Sequence, residues 1–351
     1  MKTVRIGVVG CGVMGPKHLA SAAKSPLAEP VAVADLIPER ARAAAEAFGI
    51  DRVWASGDQL VKDPEVDAVV LAFPARDRAR LALRALAAGK HVLTEKPVAT
   101  SAGQVRRMIR AQGSRVVACC SSRFRFLPHT KVAAKLVAAG TLGKLRLVRA
   151  RHLVPCGAKP DVPRPDWRLT RELNGGGILF NWGCYDLDYL LGLAGWKLRP
   201  RTVLAQAWPI APHLRSHIAT GSNAETYFAA LIRCDGGTVI SFERGEFMPA
   251  AADEAWQIVG TRGSLRMMMT PGKGKTLIHD DTTTAGGVAS RTIWQGDEAF
   301  TDVTADWVHD FAEAILRRRR PATDLKRSLV VQQISDAIIA SAERGRAVTI
   351  R

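Results

Sequence analysis

The sequence of 351 residues predicts an α/β fold in two parts, a doubly wound parallel sheet followed by a mainly antiparallel sheet. Over residues 1–120, short apolar runs alternate with amphipathic segments at the spacing of βαβ units. Several of these runs are apolar throughout, which is typical of strands covered by helices on both faces. Over residues 201–269, strand-like runs follow one another with few helices between them, which favours an antiparallel sheet.

In the first part, the alternation predicts five strands joined by four helices, and we assign residues 1–122 to this domain. Gly49, Gly89 and Gly113 each follow a predicted helix, where a left-handed C-cap is expected. The predicted strands are Val4–Gly10, Pro30–Asp35, Ala68–Leu71, His91–Thr94 and Arg115–Cys120, and the predicted helices are Met14–Lys24, Pro38–Phe48, Arg76–Ala88 and Ala102–Gln112.

In the second part, residues 123–351, the pattern changes to one α/β domain whose closing helices could pack back on the first domain. We expect a proline- and glycine-rich loop over Pro155–Pro165 and a polar loop or hairpin over residues 270–292. The predicted helices are Pro128–Ala139, the later part of Asn174–Gly195, Thr304–Arg319 and Leu325–Arg344, and the predicted strands include Leu145–Leu153, Thr226–Cys234, Thr238–Glu243 and Ala255–Val259.

The composition excludes several classes of protein. No apolar run is long enough to span a membrane, and the N-terminus shows no signal-peptide segment, so we expect a cytoplasmic protein without membrane contacts. The six cysteines show no metal-ligand spacing, so we expect free thiols and no metal. The net charge of +17 suggests nucleic-acid binding, but the arginines are spread through amphipathic helices. An anionic substrate is a better use of this charge.

A glycine-rich motif follows the first predicted strand. In Gly10-Cys-Gly12-Val13-Met14-Gly15, the first glycine permits a tight turn, the second a close approach of backbone to pyrophosphate, and the third close packing of helix on strand. Asp35 comes twenty residues later at the end of the second strand, where it can bind the ribose hydroxyls. The motif therefore predicts a Rossmann domain that binds NAD rather than NADP, although a glycine turn that serves packing alone would look similar.

A lysine follows the fourth predicted strand, in the motif Glu95-Lys96-Pro97. Ligands of open α/β sheets bind at the carboxyl ends of the strands, so Lys96 can reach a substrate beside the nicotinamide. A lysine in a partly desolvated pocket can accept a proton from a hydroxyl as hydride leaves the same carbon. The competing interpretation is a surface lysine in a turn before proline.

The lysine motif, the segment before it and the glycine motif together resemble the Gfo/Idh/MocA family of oxidoreductases. The resemblance extends over essentially the whole chain and includes Trp167-Arg168, Gly175-Gly-Gly177, Arg320-Pro-Ala-Thr323 and Asp336-Ala-Ile-Ile-Ala-Ser341. It implies a Rossmann domain, then an α/β domain with a large open sheet through which homodimers or homotetramers pack. It also implies a substrate between the domains, a catalytic role for Lys96 and a cis bond before Pro97.

The second half of the family's active site has the form aspartate, x, glycine, x, histidine, x, x, aspartate. Here the segment reads Asn181-Trp-Gly183-Cys-Tyr185-Asp-Leu-Asp188, so asparagine and tyrosine replace the first aspartate and the histidine. A tyrosine near Lys96 can serve as acid or base, and an amide can orient a substrate. We therefore expect Tyr185 to assist Lys96, with Asn181 binding substrate. The alternative is a helix face that packs under the sheet.

Other candidates are weaker. Arg123, just after the last strand of the first domain, and Trp167 are predicted to line the substrate site, although structural roles explain them as well. Phe73 and Pro74 lie where the family's fourth strand approaches the nicotinamide, and Glu95 is grouped with them as a cofactor neighbour. The family often has Thr-Pro-Asn and then histidine in that loop. Arg78 departs from this pattern, which puts the loop's cofactor contacts in doubt.

The sequence thus predicts an NAD(P)-dependent oxidoreductase that acts on CH–OH groups. Its expected substrate is a sugar, sugar acid or cyclitol with a secondary hydroxyl. Two alternatives stay open. One is an enzyme that retains NAD and uses transient oxidation to eliminate or epimerise a glycoside. The other is a non-catalytic NAD-sensing regulatory protein, for which an intact Lys96 would have no purpose.

Overall fold

The computed structural model of the chain describes residues 3–163, 165–303 and 306–350, and it divides into two compact units. The first unit comprises Met1–Arg123 and Thr301–Gln332, and the second comprises Phe124–Phe300 and Gln333–Arg351. None of the helices in the described residues combines the length and apolar character needed to cross a membrane. The assignment of cofactor binding to residues 1–122 and of substrate binding to residues 123–351 stays a prediction.

The first unit contains a parallel six-stranded sheet with the strand order β3-β2-β1-β4-β5-β6, so the predicted doubly wound sheet is confirmed. Strands β4 and β6 are apolar and fully buried, as expected of strands with helices on both faces of the sheet. The elements are β1 (Val4–Val9), α1 (Gly15–Lys24), β2 (Ala28–Ala34), α2 (Pro38–Phe48), β3 (Arg52–Trp54), α3 (Gly57–Leu60), β4 (Ala68–Leu71), α4 (Ala75–Ala87), β5 (His91–Thr94), α5 (Ala102–Ala111) and β6 (Val117–Cys119).

Strand β3 and helix α3 were not predicted from the sequence. β3 has three residues, two of them exposed, so it shows neither an apolar run nor an alternation. α3 spans a single turn, capped by Ser56, whose side chain accepts a hydrogen bond from the N–H of Gln59. Elements this short owe their conformation to tertiary packing, which local patterns do not record.

The second unit contains a nine-stranded sheet with the order β14-β13-β12-β11-β7-β10-β9-β8-β15. Only β7 and β10 pair in parallel, so the predicted mainly antiparallel sheet is confirmed. Its elements up to residue 296 are α6 (Pro128–Ala138), β7 (Leu145–Pro155), α7 (Arg171–Asn174), α8 (Cys184–Leu193), β8 (Pro200–Trp208), β9 (Tyr227–Cys234), β10 (Val239–Met248), β11 (Asp253–Gly260), β12 (Gly263–Met267), β13 (Lys275–Thr283) and β14 (Gly287–Gly296). The last elements of the chain are α9 (Asp306–Leu316), α10 (Leu325–Arg344) and β15 (Val348–Thr349).

Strands β13 and β14 form the hairpin that was one of the two interpretations of residues 270–292. The predicted loop between Pro155 and Pro165 is irregular in its described residues, and Arg164 lies outside them. Helix α9 belongs to the first unit, where it contacts α1. Its Trp307 and Phe311 are buried, and Ser25 Oγ lies 3.1 Å from His309 Nδ1.

A buried polar network joins α6, α8, β13 and the segment after β14 in the second unit. His129 Nδ1 lies 2.9 Å from both carboxylate oxygens of Glu298, and Lys275 Nζ donates to Glu298 Oε2 over 2.6 Å. His129 Nε2 lies 2.9 Å from the hydroxyl of Tyr189 on α8. Although burial opposes ionisation, the hydrogen bonds from His129 and Lys275 lower the pKa of Glu298 to about 2. Because the carboxylate only accepts, Nδ1 carries the histidine proton and Nε2 accepts from Tyr189.

We predict that Lys275→Met destabilises the protein, because it leaves the Glu298 carboxylate buried without its cation. The expected loss in the free energy of unfolding is about 3–5 kcal/mol, the usual consequence of removing one partner of a buried ion pair. Urea unfolding at pH 7 measures it. Lys273→Met, the same change at an exposed position two residues earlier, is the control and should change stability by less than about 0.5 kcal/mol. Equal effects of the two variants would contradict the prediction.

Candidate active site

The glycine motif forms the turn between β1 and α1. Gly10 has φ +93°, and a Cβ there would lie 2.6 Å from the carbonyl oxygen of Ala72. A Cβ on Gly15 would lie 2.2 Å from the carbonyl oxygen of Gly10. A Cβ on Gly12 would have no atom within 4 Å, so this side of its backbone faces open space. Two glycines are therefore required by packing, and the third leaves the loop open to a ligand such as a pyrophosphate.

The carboxylate at the end of β2 is fixed against this turn. Asp35 Oδ2 accepts a hydrogen bond from the N–H of Cys11 over 2.6 Å, and Oδ1 accepts one from Ile37 over 2.8 Å. Val13 is exposed, and Met14 directly precedes α1. A fixed negative charge beside the turn suits ribose hydroxyls and repels a 2′-phosphate, which is the arrangement that the motif predicts.

The loop after β4 was predicted to contact the cofactor through Phe73 and Pro74, and the polar contacts near it come from Arg78. Phe73 packs against the apolar core of the first unit, and Pro74 precedes α4. Arg78, on the first turn of α4, is buried and donates to three consecutive carbonyl oxygens. These are the carbonyls of Glu95, of Lys96 at 3.1 Å and of Pro97 at 2.5 Å.

The sequence contains a signal for this role of Arg78. The arginine occupies a position on the apolar face of the helix, where Ala75, Ala79 and Ala82 are its buried neighbours. A charged residue at a core-facing position needs internal hydrogen-bond partners, because burial of an unpaired charge is costly. This contact was not predicted, since Arg78 stood out in the sequence only as a departure from the family pattern.

Lys96 follows β5 at the carboxyl end of the parallel sheet, and its bond to Pro97 is cis, as the resemblance implies. The side chain is half-buried, whereas the competing interpretation of the sequence was a surface lysine in a turn. The N–H of Lys96 donates to Oε2 of Glu95 over 3.1 Å. Together with the three bonds from Arg78, this contact fixes the backbone on which the lysine is carried.

Glu95 is the centre of a buried ionic cluster. His18 Nε2 lies 3.0 Å from Glu95 Oε1, and Arg123 Nη2 lies 3.8 Å from the same oxygen. Although burial opposes ionisation, the His18 N–H and the Arg123 charge hold the pKa of Glu95 well below its usual range. The ring of Trp307 lies 5.3 Å from that of His18 and 4.6 Å from the guanidinium carbon of Arg123. Arg123 thus contacts Glu95 and Trp307, and its predicted contact with substrate stays a prediction.

His18, Glu95 and Cys120 are also the one group in the described residues with the composition and spacing of a metal site. The chemistry of the group does not favour a cation. Burial raises the pKa of the Cys120 thiol well above its usual value, so a metal would have to displace a firmly held proton. Oε1 of Glu95 already contacts His18 Nε2 and Arg123 Nη2, and a metal would have to replace these contacts.

In the second unit, Asn181 and Tyr185 lie on one helical stretch. Asn181 is in a π-helical turn, Leu179–Gly183, that runs directly into α8, and its N–H donates to the carbonyl of Gly177 over 2.9 Å. Such turns are frequent at functional sites. Both side chains are buried, so the packed helix face that the sequence left open describes part of their environment. Their catalytic roles stay predictions.

Aromatic rings surround Tyr185. Its ring meets Phe124 edge-on at 5.1 Å and Trp182 at 5.5 Å between centroids. The two aspartates of the same helix are engaged elsewhere. Asp186 pairs with Arg244 at 2.7 Å, and Asp188 pairs with Arg125 at 2.6 Å. Tyr185 therefore differs from its neighbours on α8 in being packed among rings.

Trp167 is partly buried on a short 3₁₀ turn, Asp166–Leu169. The next residue, Arg168, pairs with Glu246 on β10 at 2.9 Å. The sequence singled out Trp167 as a substrate contact, and this contact stays a prediction.

Comparison with known proteins agrees with this geometry. The family model of the GFO/IDH/MocA oxidoreductases, described as having an NAD-binding Rossmann fold, matches residues 4–122. The model of the GFO/IDH/MocA C-terminal domain matches residues 130–266. Both the predicted resemblance and NAD as the cofactor are confirmed.

Two curated relatives cover most of the chain. It is 32% identical to a dTDP-3,4-didehydro-2,6-dideoxy-alpha-D-glucose 3-reductase of Streptomyces violaceoruber, over 90% of this chain and 86% of that protein. It is 29% identical to inositol 2-dehydrogenase 2 of Saccharopolyspora erythraea, over 76% of this chain and 73% of that protein.

A solved structure of levoglucosan dehydrogenase with NADH and L-sorbose matches with a TM-score of 0.86, 23% identity and complete coverage of both chains, which establishes a common fold. The parallel sheet with its glycine turn, the nine-stranded sheet and these matches lead to one conclusion. The chain belongs to the GFO/IDH/MocA family of oxidoreductases, with NAD as its cofactor.

Proposed function

We propose that this oxidoreductase transfers hydride between NAD and a secondary hydroxyl carbon of a sugar, sugar acid or cyclitol. The observation that carries the proposal is the half-buried Lys96, carried on a rigid turn at the carboxyl end of β5. The names of the relatives, a deoxysugar reductase and an inositol dehydrogenase, support the substrate class.

In the oxidation direction, Lys96 Nζ accepts the proton of the substrate hydroxyl while the C–H bond breaks and the C=O bond forms. The glycine turn and Asp35 would hold NAD, which would supply the acceptor for the hydride of that carbon. In the reduction direction, the protonated lysine returns the proton to the carbonyl oxygen. Glu95 is ionised and lies next to Lys96 in the chain, so its charge favours the protonated lysine that this direction needs. The Asn181 amide orients the hydroxyl, and Tyr185 assists proton transfer.

The surplus positive charge of the chain, +17, suits an anionic member of the substrate class, such as a uronate or a phosphorylated sugar. Tests of activity therefore need both anionic and neutral substrates.

We also propose that the enzyme is a homodimer that packs through the open face of the nine-stranded sheet. On this face, Leu204 of β8 lies opposite Leu231 of β9, and Trp208 lies opposite Tyr227 with their rings stacked at 4.7 Å. Leu204, Leu231 and Trp208 are 53%, 54% and 39% exposed. Contiguous apolar surface of this kind marks protein interfaces, and a second copy of the chain offers the same face.

We predict that Lys96→Ala lowers kcat at least about 100-fold, the usual contribution of a general acid or base. The measurement is nicotinamide absorbance with NAD and a panel of hexoses, uronates, sugar phosphates and inositols. Lys24→Ala, at an exposed position, is the control and should keep wild-type turnover. Tyr185→Phe should lower kcat less than Lys96→Ala does, and Tyr227→Phe should not lower it. Unchanged turnover in Tyr185→Phe would remove Tyr185 from the mechanism.

Two other outcomes would contradict the proposal. NAD that stays bound through purification, with product formed but no net change in nicotinamide absorbance, would indicate transient oxidation followed by elimination or epimerisation. NAD binding with no conversion of any substrate, and with binding properties equal in the wild type and Lys96→Ala, would indicate a regulatory protein.

We predict that Arg78→Met lowers kcat about tenfold or more, because three carbonyl oxygens lose their donors and the turn that carries Lys96 loosens. Arg80→Met removes an exposed arginine of the same helix and should leave kcat unchanged. The shape of the pH–rate profile distinguishes positioning from general loss of fold. A variant that only unfolds in part keeps the wild-type profile at reduced amplitude, and that result would contradict the prediction.

We predict that Leu231→Arg converts the protein to a monomer in analytical ultracentrifugation, since it places a charge in the exposed apolar surface of β8 and β9. Val53→Arg, an equivalent change at an exposed valine of the first unit, should leave the sedimentation coefficient unchanged. A monomeric wild-type protein at micromolar concentration would refute the proposed dimer.

A further inference from the structure

One residue from a distant part of the chain, Glu225, packs against the glycine triplet before the Asn181 helix. An ideal Cβ on Gly177 would lie 1.8 Å from the carbonyl oxygen of Glu225, and one on Gly176 would lie 3.3 Å from the Glu225 carboxylate. Glu225 lies two residues before β9 and therefore packs directly on the backbone of the triplet. Any side chain at Gly177 would displace it.

Glu225 accepts hydrogen bonds from three consecutive N–H groups at the start of this helix. Its Oε1 accepts from Gly177 over 2.8 Å and from Leu179 over 3.3 Å, and its carbonyl oxygen accepts from Ile178 over 3.0 Å. The first N–H groups of a helix have no partners within the helix. The residue before the π-helical turn makes no side-chain cap, so the cap comes from Glu225.

The capped residues are followed within two turns by both candidate site residues of this helix, so the cap fixes the backbone that leads to them. Asn181 donates its N–H to the carbonyl of Gly177, so it lies one turn after the first capped residue. Tyr185 follows one turn later on α8. The segment before the cap gives little support, because Gly175 has φ +88° and glycines lose more conformational freedom on ordering than other residues do.

The carboxylate of Glu225 is closed off from solvent. The residue is 2% exposed, and in the described part of the chain its Oε2 has no hydrogen-bond partner. Burial raises the pKa of this carboxyl group. The contacts that cap the helix use Oε1 and the main-chain carbonyl, and glutamine provides both acceptors.

We propose that Glu225 is a positioning residue of this enzyme, which fixes the start of the helix that carries Asn181 and Tyr185 and acts on the reaction only through them. The inference rests on the proposed function in one respect, the roles given to Asn181 and Tyr185. The hydrogen bonds between Glu225 and the start of the helix do not depend on any substrate.

The test combines hydrogen exchange and kinetics on the full-length chain. In Glu225→Ala, we expect the amides of residues 177–179 to exchange about tenfold faster or more, since each loses or loosens its acceptor. We expect kcat to fall about tenfold or more. NADH affinity, measured by fluorescence titration, should stay within about twofold, since it depends on the first unit. Glu225→Gln should restore protection and kcat to within about threefold of wild type.

Two further variants complete the set. Glu225→Asp shortens the side chain by one methylene, keeps the acid and should show partial loss of both readouts, so it replaces Glu225→Ala if that variant does not fold. Glu343→Ala removes an exposed carboxylate of the same unit and should match wild type.

Wild-type exchange at residues 177–179 in Glu225→Ala or Glu225→Asp would overturn the proposal, whether or not a substrate has been found. Loss of kcat in Glu225→Gln equal to that in Glu225→Ala would overturn it too, because the charge rather than the cap would then matter. Full activity in Glu225→Ala beside an inactive Lys96→Ala would overturn this inference and leave the proposed function intact. No turnover by the wild type, with faster exchange in Glu225→Ala, would remove the proposed function and confirm the cap.

Discussion

The ionised Glu95, held between His18 and Arg123, is the interaction on which the first unit's candidate site depends. A buried carboxylate is stable only with partners, and these two supply a hydrogen bond and a positive charge. Trp307 contacts both partners from α9, more than 180 residues after Arg123 in the chain. Removal of His18 or Arg123 would leave the Glu95 charge with one partner fewer in a buried position beside Lys96. Helix α9 therefore helps to support the lysine turn, because its Trp307 packs against both partners, although it contributes no predicted catalytic residue.

The fold was predictable from the sequence where local patterns determine it. The parallel sheet follows from apolar runs, helix periodicity and C-cap glycines. For residues 270–292 the composition left a loop and a hairpin open, and the pairing of β13 with β14 decides for the hairpin. The short elements β3 and α3 were not predictable, because three or four residues carry no period. The motifs also identified the glycine turn and Lys96 as candidates, since spacing relative to the strands is a local property.

The partners of the site residues were not predictable, because they come from distant parts of the chain. His18 and Glu95 are 77 residues apart, and Glu225 and Gly177 are 48 apart. No periodicity relates such positions. What the sequence does contain is a weaker signal, a polar residue where the pattern demands an apolar one. Arg78 on the apolar face of α4 is an example, and Tyr189 on the buried helix α8 is another. Such a residue predicts a buried partner without saying which one.

The helix that carries Asn181 and Tyr185 is held in different ways at its two ends. At the start of the helix, Glu225 accepts hydrogen bonds from three backbone N–H groups, so it fixes the main chain. One turn beyond Tyr185, Tyr189 is bonded to His129 in the buried network with Glu298 and Lys275, so the constraint acts on a side chain. Between them, Asp186 and Asp188 pair with arginines from β10 and from the segment before α6. A side chain acts in catalysis only if its backbone is fixed to within a fraction of an ångström. Because these anchors all lie within the second unit, the unit can preserve the geometry of Asn181 and Tyr185 by itself.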